Sequence, residues 1–167
     1  MEIATQKIAP CLWYDSEAED AAKFYVSVFE NSRIVSTSHY GEEGFEIHGR
    51  KAGTVMSVEF ELEGLRFVGL NGGPHFTFDE AVSFQIYCDT QKEIDYFWEK
   101  LTDGGSEGPC GWLKDKFGLS WQVVPRALLA MLMDKDARKS QAVTKAFLQM
   151  KKFDIAALKR AYDGQAA

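Results

Sequence analysis

Leu12-Trp13-Tyr14-Asp15-Ser16 and, much later, Ile86-Tyr87-Cys88-Asp89-Thr90 carry one pattern twice. Each is an apolar stretch that closes on an aspartate and a hydroxyl residue, the types that start a helix. A second pair repeats in the same order. Glu63-Gly64-Leu65-Arg66-Phe67 is echoed by Phe117-Gly118-Leu119-Ser120-Trp121, each a turn glycine followed by strand alternation. Phe24 in the first helix then falls opposite Trp98 in the second. Two ordered matches of this kind indicate a duplicated strand–helix–strand–strand–strand unit.

Around these anchors the first copy reads as a strand over 8–14, a helix over about 17–29, and strands over 34–40, 54–63 and 65–71. Ser16 with Glu19 supplies a capping box for the helix, with Asp15 as the other candidate cap. Met56, Val58, Phe60 and Leu62 alternate with polar partners up to a tight turn at Glu63-Gly64, which makes a hairpin. Residues 41–53 are polar and glycine-bearing, and a mobile loop is expected there. The second copy has a strand over 82–88 and a helix over 91–102, capped by Asp89 or Thr90. Strands over 111–116 and 119–124 follow. Helices over about 126–132, 136–152 and 154–162 end the chain. In them Val143, Phe147, Met150 and Phe153 form a helical stripe, suited to docking on the chain's own helices or on a partner subunit. The expectation is an α+β protein and one structural domain: a first βαβββ module over 1–78, a compressed second module over 79–126, and a helical tail over 127–167. The modules would form an open curved sheet with helices on its outer face and a concave face lining a cavity.

Composition narrows the function. The chain has 167 residues with 46% hydrophobic and 13% aromatic content, enough for a packed core. Its 19 Lys+Arg against 25 Asp+Glu give a net charge of −6, which argues against a nucleic-acid partner. No run approaches the roughly 18 apolar residues of a membrane span, and no signal peptide is legible at the N-terminus. Three cysteines make no disulfide framework, so a reduced, cytoplasmic setting is expected.

Several stretches carry a family resemblance. They are Trp13-Tyr14-Asp15, Phe24-Tyr25, Gly53-Thr54, Leu70-Asn71-Gly72-Gly73-Pro74-His75-Phe76, Cys110-Gly111-Trp112-Leu113-Lys114-Asp115, Phe117-Gly118-Leu119-Ser120-Trp121-Gln122 and the tail segment from Leu148 to Leu158. The chain resembles the PhnB-like branch of the glyoxalase and bleomycin-resistance (vicinal oxygen chelate) superfamily, labelled a 3-demethylubiquinone-9 3-methyltransferase domain. That resemblance implies paired modules and a homodimer. It also implies, for the metal-using members, a divalent ion held by side chains of the first and last strands of each module. Carried over by the internal repeat, those positions are Ala9, Val68 (or Gly69 with a slip of one), Ser83 and Gln122. None offers the imidazole or carboxylate such an ion takes, so no metal and no cofactor is expected. The methyltransferase label also lacks a foothold, because Trp13-Tyr14-Asp15-Ser16-Glu17 has no glycine-rich turn after the first strand.

The candidate ligand-contacting residues are therefore neutral. Ser83, Gln85 and Tyr87 share one strand face, and Gln122 and Ser120 share another. They could bind a small polar ligand or satisfy one another. Trp13 and Trp112 are candidate cavity walls, whereas Trp98 and Trp121 read as core. Asn71 and His75 fall at the rim, His75 as a general acid or base or as a turn residue. Cys11 shares the face of Trp13 but has no adjacent histidine to activate it. Arg66 reads as an exposed salt bridge to Glu59 or Glu61. Small-molecule binding in the concave cavity is the expected function, with the catalytic residues unassigned. The alternatives are a metal-dependent lyase, isomerase or dioxygenase, and a ligand-sequestering protein.

Overall fold

The computed structural model describes residues 6–164, so the outermost ends of the first module and of the tail lie outside the described residues. The chain is α+β and divides into two compact units between Thr77 and Phe78.

The first unit runs β1 (Cys11–Tyr14), α1 (Ala18–Val28), β2 (Arg33–His39), α2 (Phe45–His48), β3 (Val55–Leu62) and β4 (Leu65–Asn71). Its strands form one open four-stranded sheet in the order β1-β4-β3-β2. The outer strand β1 pairs parallel to β4, with Cys11 opposite Val68 and Tyr14 opposite Asn71. The β3–β4 hairpin pairs Phe60 with Phe67, whose rings stack at 5.4 Å. Strand alternation turns Leu12, Tyr14, Val58, Phe60, Leu62 and Phe67 to one face, and all are buried. The face of α1 that covers them is built from Ala18, Ala21, Ala22, Tyr25 and Val28, spaced three and four apart. Three alanines on that face allow a close approach of helix to sheet.

The start of α1 departs from the expected capping box. Its N-cap is Glu17, with no side-chain cap of its own. The open donor at Ala18 is met from the sheet, where Asn71 Oδ1 accepts its N–H at 2.8 Å. Asn71 Nδ2 donates to the Val55 carbonyl at 3.1 Å, and the Asn71 carbonyl accepts from Tyr40 Oη at 2.6 Å. This residue, 5% exposed, ties the helix start to β3 and to the end of β2. The loop expected to be mobile contains the turn of helix α2. It is pinned by Arg50, whose guanidinium donates to the Asp15 carbonyl at 2.6 Å and to its carboxylate at 2.9 Å.

The second unit repeats the order. It runs β5 (Ser83–Cys88), α3 (Gln91–Thr102), β6 (Ser106–Glu107), β7 (Trp112–Lys114) and β8 (Ser120–Pro125), then α4 (Arg126–Leu132), α5 (Ala137–Phe147) and α6 (Ile155–Tyr162). The sheet order β5-β8-β7-β6 matches the first, again with a parallel outer pair. Each of the paired βαβββ modules thus forms its own open four-stranded sheet. Thr90 and Glu93 form a true capping box on α3. The helix buries Ile94, Trp98 and Leu101 toward Leu113, Trp121 and Val123.

Comparison of the buried helix faces corrects the expected repeat by one residue. Helix α1 begins three residues after Asp15, whereas α3 begins two after Asp89. The partner of Trp98 is thus the buried Tyr25 and not Phe24. The extra residue is absorbed where Asn71, rather than a local side chain, provides the cap.

Turn geometry in the second unit rests on Asp115, 2% exposed. Its carboxylate accepts from the backbone N–H of Phe117 at 2.9 Å and of Leu119 at 3.1 Å, and from Trp121 Nε1 at 2.8 Å. The helical tail docks on this same unit. Leu128, Val143, Phe153 and Leu158 make a small core, while the backbone N–H groups of Cys110 and Gly111 donate to the Met150 and Lys151 carbonyls at 2.7 Å each. Gln91 of α3 donates to the Phe153 carbonyl at 3.0 Å and accepts from Ile155 N–H at 2.9 Å.

Two substitutions test these supports in urea denaturation followed by tryptophan fluorescence. Asn71→Ala removes a helix cap and leaves buried backbone groups unmatched, and is expected to lower stability by about 1–3 kcal/mol. Asp115→Ala strands several donors at once, with an expected loss of about 3 kcal/mol or more. A change below about 0.5 kcal/mol at either position would contradict the roles given to them.

Candidate functional site

The helix-free face of the second sheet gathers most of the polar candidates. The β5–β8 register sets Ser83 opposite Ser120 and Gln85 opposite Gln122. The β7–β8 register adds Trp112 opposite Gln122 and Lys114 opposite Ser120, and β6 adds Ser106 opposite Lys114. Two rows therefore cross this face. One is Gln85, Gln122, Trp112; the other is Ser83, Ser120, Lys114, Ser106.

A hydrogen-bond chain links the rows. Tyr87 Oη donates to Gln85 Oε1 at 2.6 Å, Gln85 Nε2 to Gln122 Oε1 at 3.2 Å, and Gln122 Nε2 to Ser83 Oγ at 2.8 Å. Ser83 and Gln122 are half-buried, Gln85 and Tyr87 are exposed, and the Tyr87 ring lies 5.2 Å from the Arg126 guanidinium. The chain uses one amide hydrogen of each glutamine, so each keeps a second donor for a ligand.

Beside this chain lies a cavity of about 410 Å³, lined by Glu80, Ser106, Glu107, Gly108, Pro109, Trp112, Leu113, Lys114 and Ser120. Lys114 Nζ meets Glu80 Oε1 at 2.6 Å. The hydrogen bond from Lys114, and after it one from Glu80's own backbone, hold the Glu80 carboxyl pKa below its ordinary value. The other carboxylate at this wall is engaged, because Glu107 accepts from Trp98 Nε1 at 2.9 Å and lies 3.4 Å from Lys151 Nζ.

The matching face of the first sheet differs. Cys11 and Val68 occupy the places of Gln85 and Gln122, since Cys11 pairs with Val68 as Gln85 pairs with Gln122. This register also decides between Val68 and Gly69. Gly69 faces α1, where an added Cβ would meet that of Ala18 at 3.2 Å, so Val68 is the equivalent of Gln122. Further along, Arg66 is not the exposed edge residue expected. It is 8% exposed because β4 is an interior strand, and it reaches Glu59 at 3.2 Å and Glu61 at 3.6 Å.

The rim candidates of the first unit are held by one another. Trp13 Nε1 donates to the Gly73 carbonyl at 2.8 Å, and its ring meets those of His75 and Phe76 edge-on at 6.5 and 5.0 Å. A side chain at Gly72 would begin 2.1 Å from the indole, so only glycine fits beneath it. His75 is exposed on this loop. Asn71 borders a cavity but spends both ends of its amide on backbone. Burial pushes the Cys11 thiol above its ordinary value, and burial with the nearby Glu93 and Asp89 pushes Cys88 up to about 12, which keeps both as thiols at neutral pH.

The four positions that the resemblance implied for a metal, Ala9, Val68, Ser83 and Gln122, carry no imidazole or carboxylate. Ser83 and Gln122 lie within hydrogen-bond distance and bond to each other, while Ala9 and Val68 carry no donor atom. Among the described residues no group of three or more His, Cys, Asp or Glu side chains could hold a metal ion. Sequence reasoning placed Ser120 beside Gln122 but missed Lys114 and Glu80. The only signal for them was the alternation that puts Lys114 and Trp112 on one face.

The comparisons with known proteins agree with this architecture. The profile of the family described as 3-demethylubiquinone-9 3-methyltransferase matches residues 6–124, leaving the helical tail outside. A PhnB protein from Bacillus cereus carrying the same methyltransferase label is 37% identical, with a TM-score of 0.62, over 72% of this chain and 99% of that one. Protein PA1353 from Pseudomonas aeruginosa shares the fold at 16% identity and a TM-score of 0.56, over 72% of this chain and 98% of its own. The fosfomycin resistance protein FosX from Listeria monocytogenes shares it at 11% identity and 0.50, over 74% and 94%. No curated protein matches the chain. With the family profile covering most of the chain and a relative of this identity along its whole length, the chain belongs to the PhnB-like 3-demethylubiquinone-9 3-methyltransferase family.

Proposed function

We propose that this protein binds a small polar molecule on the helix-free face of its second sheet, through neutral hydrogen bonds and without a chelated metal. The observation that carries this reading is the Tyr87–Gln85–Gln122–Ser83 chain, half-open to solvent and beside a cavity walled by Trp112. Each glutamine can rotate its amide to present either oxygen or N–H, so the chain re-forms around a carbonyl or hydroxyl with little loss. The indole supplies an apolar wall for the rest of the ligand.

Binding is favoured over turnover because the titratable candidates lack the partners that catalysis needs. A general base wants an orienting group and a proton within reach. His75 is exposed among aromatic rings, and the thiols of Cys11 and Cys88 are held protonated. The family's methyltransferase label is not extended to this chain, since no glycine-rich turn follows β1. The donor set likewise favours no metal-dependent lyase or dioxygenase. The protein is proposed to act in the cytoplasm as a homodimer that carries or sequesters its ligand.

A screen of small neutral amides and alcohols by amide NMR tests this. Hits are expected to shift the side-chain amides of Gln85 and Gln122 together with the Trp112 indole. Gln122→Leu should reduce their affinity about tenfold, the loss of one or two well-placed hydrogen bonds, with the fold unchanged. Hits that leave those signals in place, or that are returned chemically altered, would contradict the reading.

A further inference from the structure

We propose that the ligand of this face carries an oxyanion group, recognised by Lys114 and the serine row beside it, and that Glu80 is a built-in competitor that the oxyanion displaces. This rests on the reading of the second sheet as the binding face and names the chemistry of what binds there.

Three observations converge. First, the sheet register lines up Ser83, Ser120, Lys114 and Ser106 across all four strands, with Ser120 and Ser106 as the cross-strand neighbours of Lys114 and Ser83 one strand further. Hydroxyl donors beside a lysine form a recognition set for carboxylate or phosphonate oxygens. Secondly, Ser120 Oγ is buried, its residue 1% exposed, and among the described residues it has no hydrogen-bond partner although it lines the cavity. A buried hydroxyl left unmatched costs stability, and such a group at a cavity wall points to a ligand that completes it. Thirdly, Lys114 is already paired with a carboxylate that is easily moved. Glu80 lies outside the regular elements just before β5, and its side chain remains 62% exposed against 38% for Lys114. Exposed pairs of this kind are held weakly, so a better-placed oxyanion can take the lysine while Glu80 swings into water.

The rest of the cavity fits the same ligand. The remaining carboxylate at its wall, Glu107, is committed to Trp98 and lies near Lys151, so it does not compete for Lys114. Trp112 sits one register step along the sheet from Lys114, opposite Gln122. An oxyanion on the serine row would thus place a planar or apolar body against the indole and a polar end at the glutamine chain.

The test is an amide NMR titration of the labelled protein with benzoate, phenylphosphonate and the neutral isostere benzamide. Benzoate or phenylphosphonate is expected to shift the backbone amides of Lys114, Ser120 and Ser106 and the Trp112 indole, and the stronger of the two identifies the class of oxyanion. Lys114→Met should weaken that anion about tenfold or more, whereas Glu80→Gln should strengthen it several-fold by removing the competitor. Opposite signs from two exposed substitutions separate recognition from a merely structural ion pair, whose loss would move both variants the same way. Equal weakening by both substitutions overturns the inference. So does benzamide acting at Gln85 and Gln122 with no response to either anion, an outcome that leaves the binding face itself standing. No response to any of the three probes removes both the inference and the reading beneath it.

Discussion

The parallel pairing of the first and last strands of each unit is the constraint on which the rest depends. It brings together two segments separated in sequence by the whole module, and it does so in one register both times: Cys11 with Val68, and Gln85 with Gln122. Parallel neighbours cannot be joined by a tight turn, so the intervening helix and hairpin are what allow this pairing. The hairpin then supplies β3 or β7, and the helix closes one face. What remains is the opposite face, and its chemistry is set by whichever residues alternation turns toward it.

The two units use that face differently. In the first, Cys11 and Val68 are unsuited to polar recognition, and the Arg66–Glu59–Glu61 cluster satisfies itself. In the second, Ser83 and Gln122 are neutral groups that bond to each other. A chelate needs charged or imidazole donors converging on one point. Ser83 and Gln122 offer a neutral hydroxyl and amide that hydrogen-bond to each other, which suits a hydrogen-bonding surface and not a chelate. The charge that the face does retain belongs to Lys114, one row away and shielded by Glu80.

The duplication, the strand alternation and the core tryptophans were legible in the residues because alternation and turn glycines are local signals. Three features were not. The cap of α1 comes from Asn71, more than fifty residues away, so a local Ser16–Glu19 box was the natural but mistaken expectation, and with it came the one-residue slip between Phe24 and Tyr25. Arg66 looked exposed because hairpin alternation cannot show that β1 flanks β4. The Lys114–Glu80 pair escaped notice because Glu80 precedes its module's first strand and carries no motif. In each case the missing information was tertiary: which distant strand, loop or side chain comes to lie beside the residue.

The central proposal is that this face recognises its ligand through neutral groups and Lys114, without a chelated metal. The most direct measurement is the metal content of the protein purified without chelators and then dialysed against zinc, manganese and nickel in turn. The account predicts far less than one equivalent of any of these ions per chain, and no change on replacing Gln122 or Ser83 by alanine. One tightly held equivalent that is lost on either replacement would contradict it.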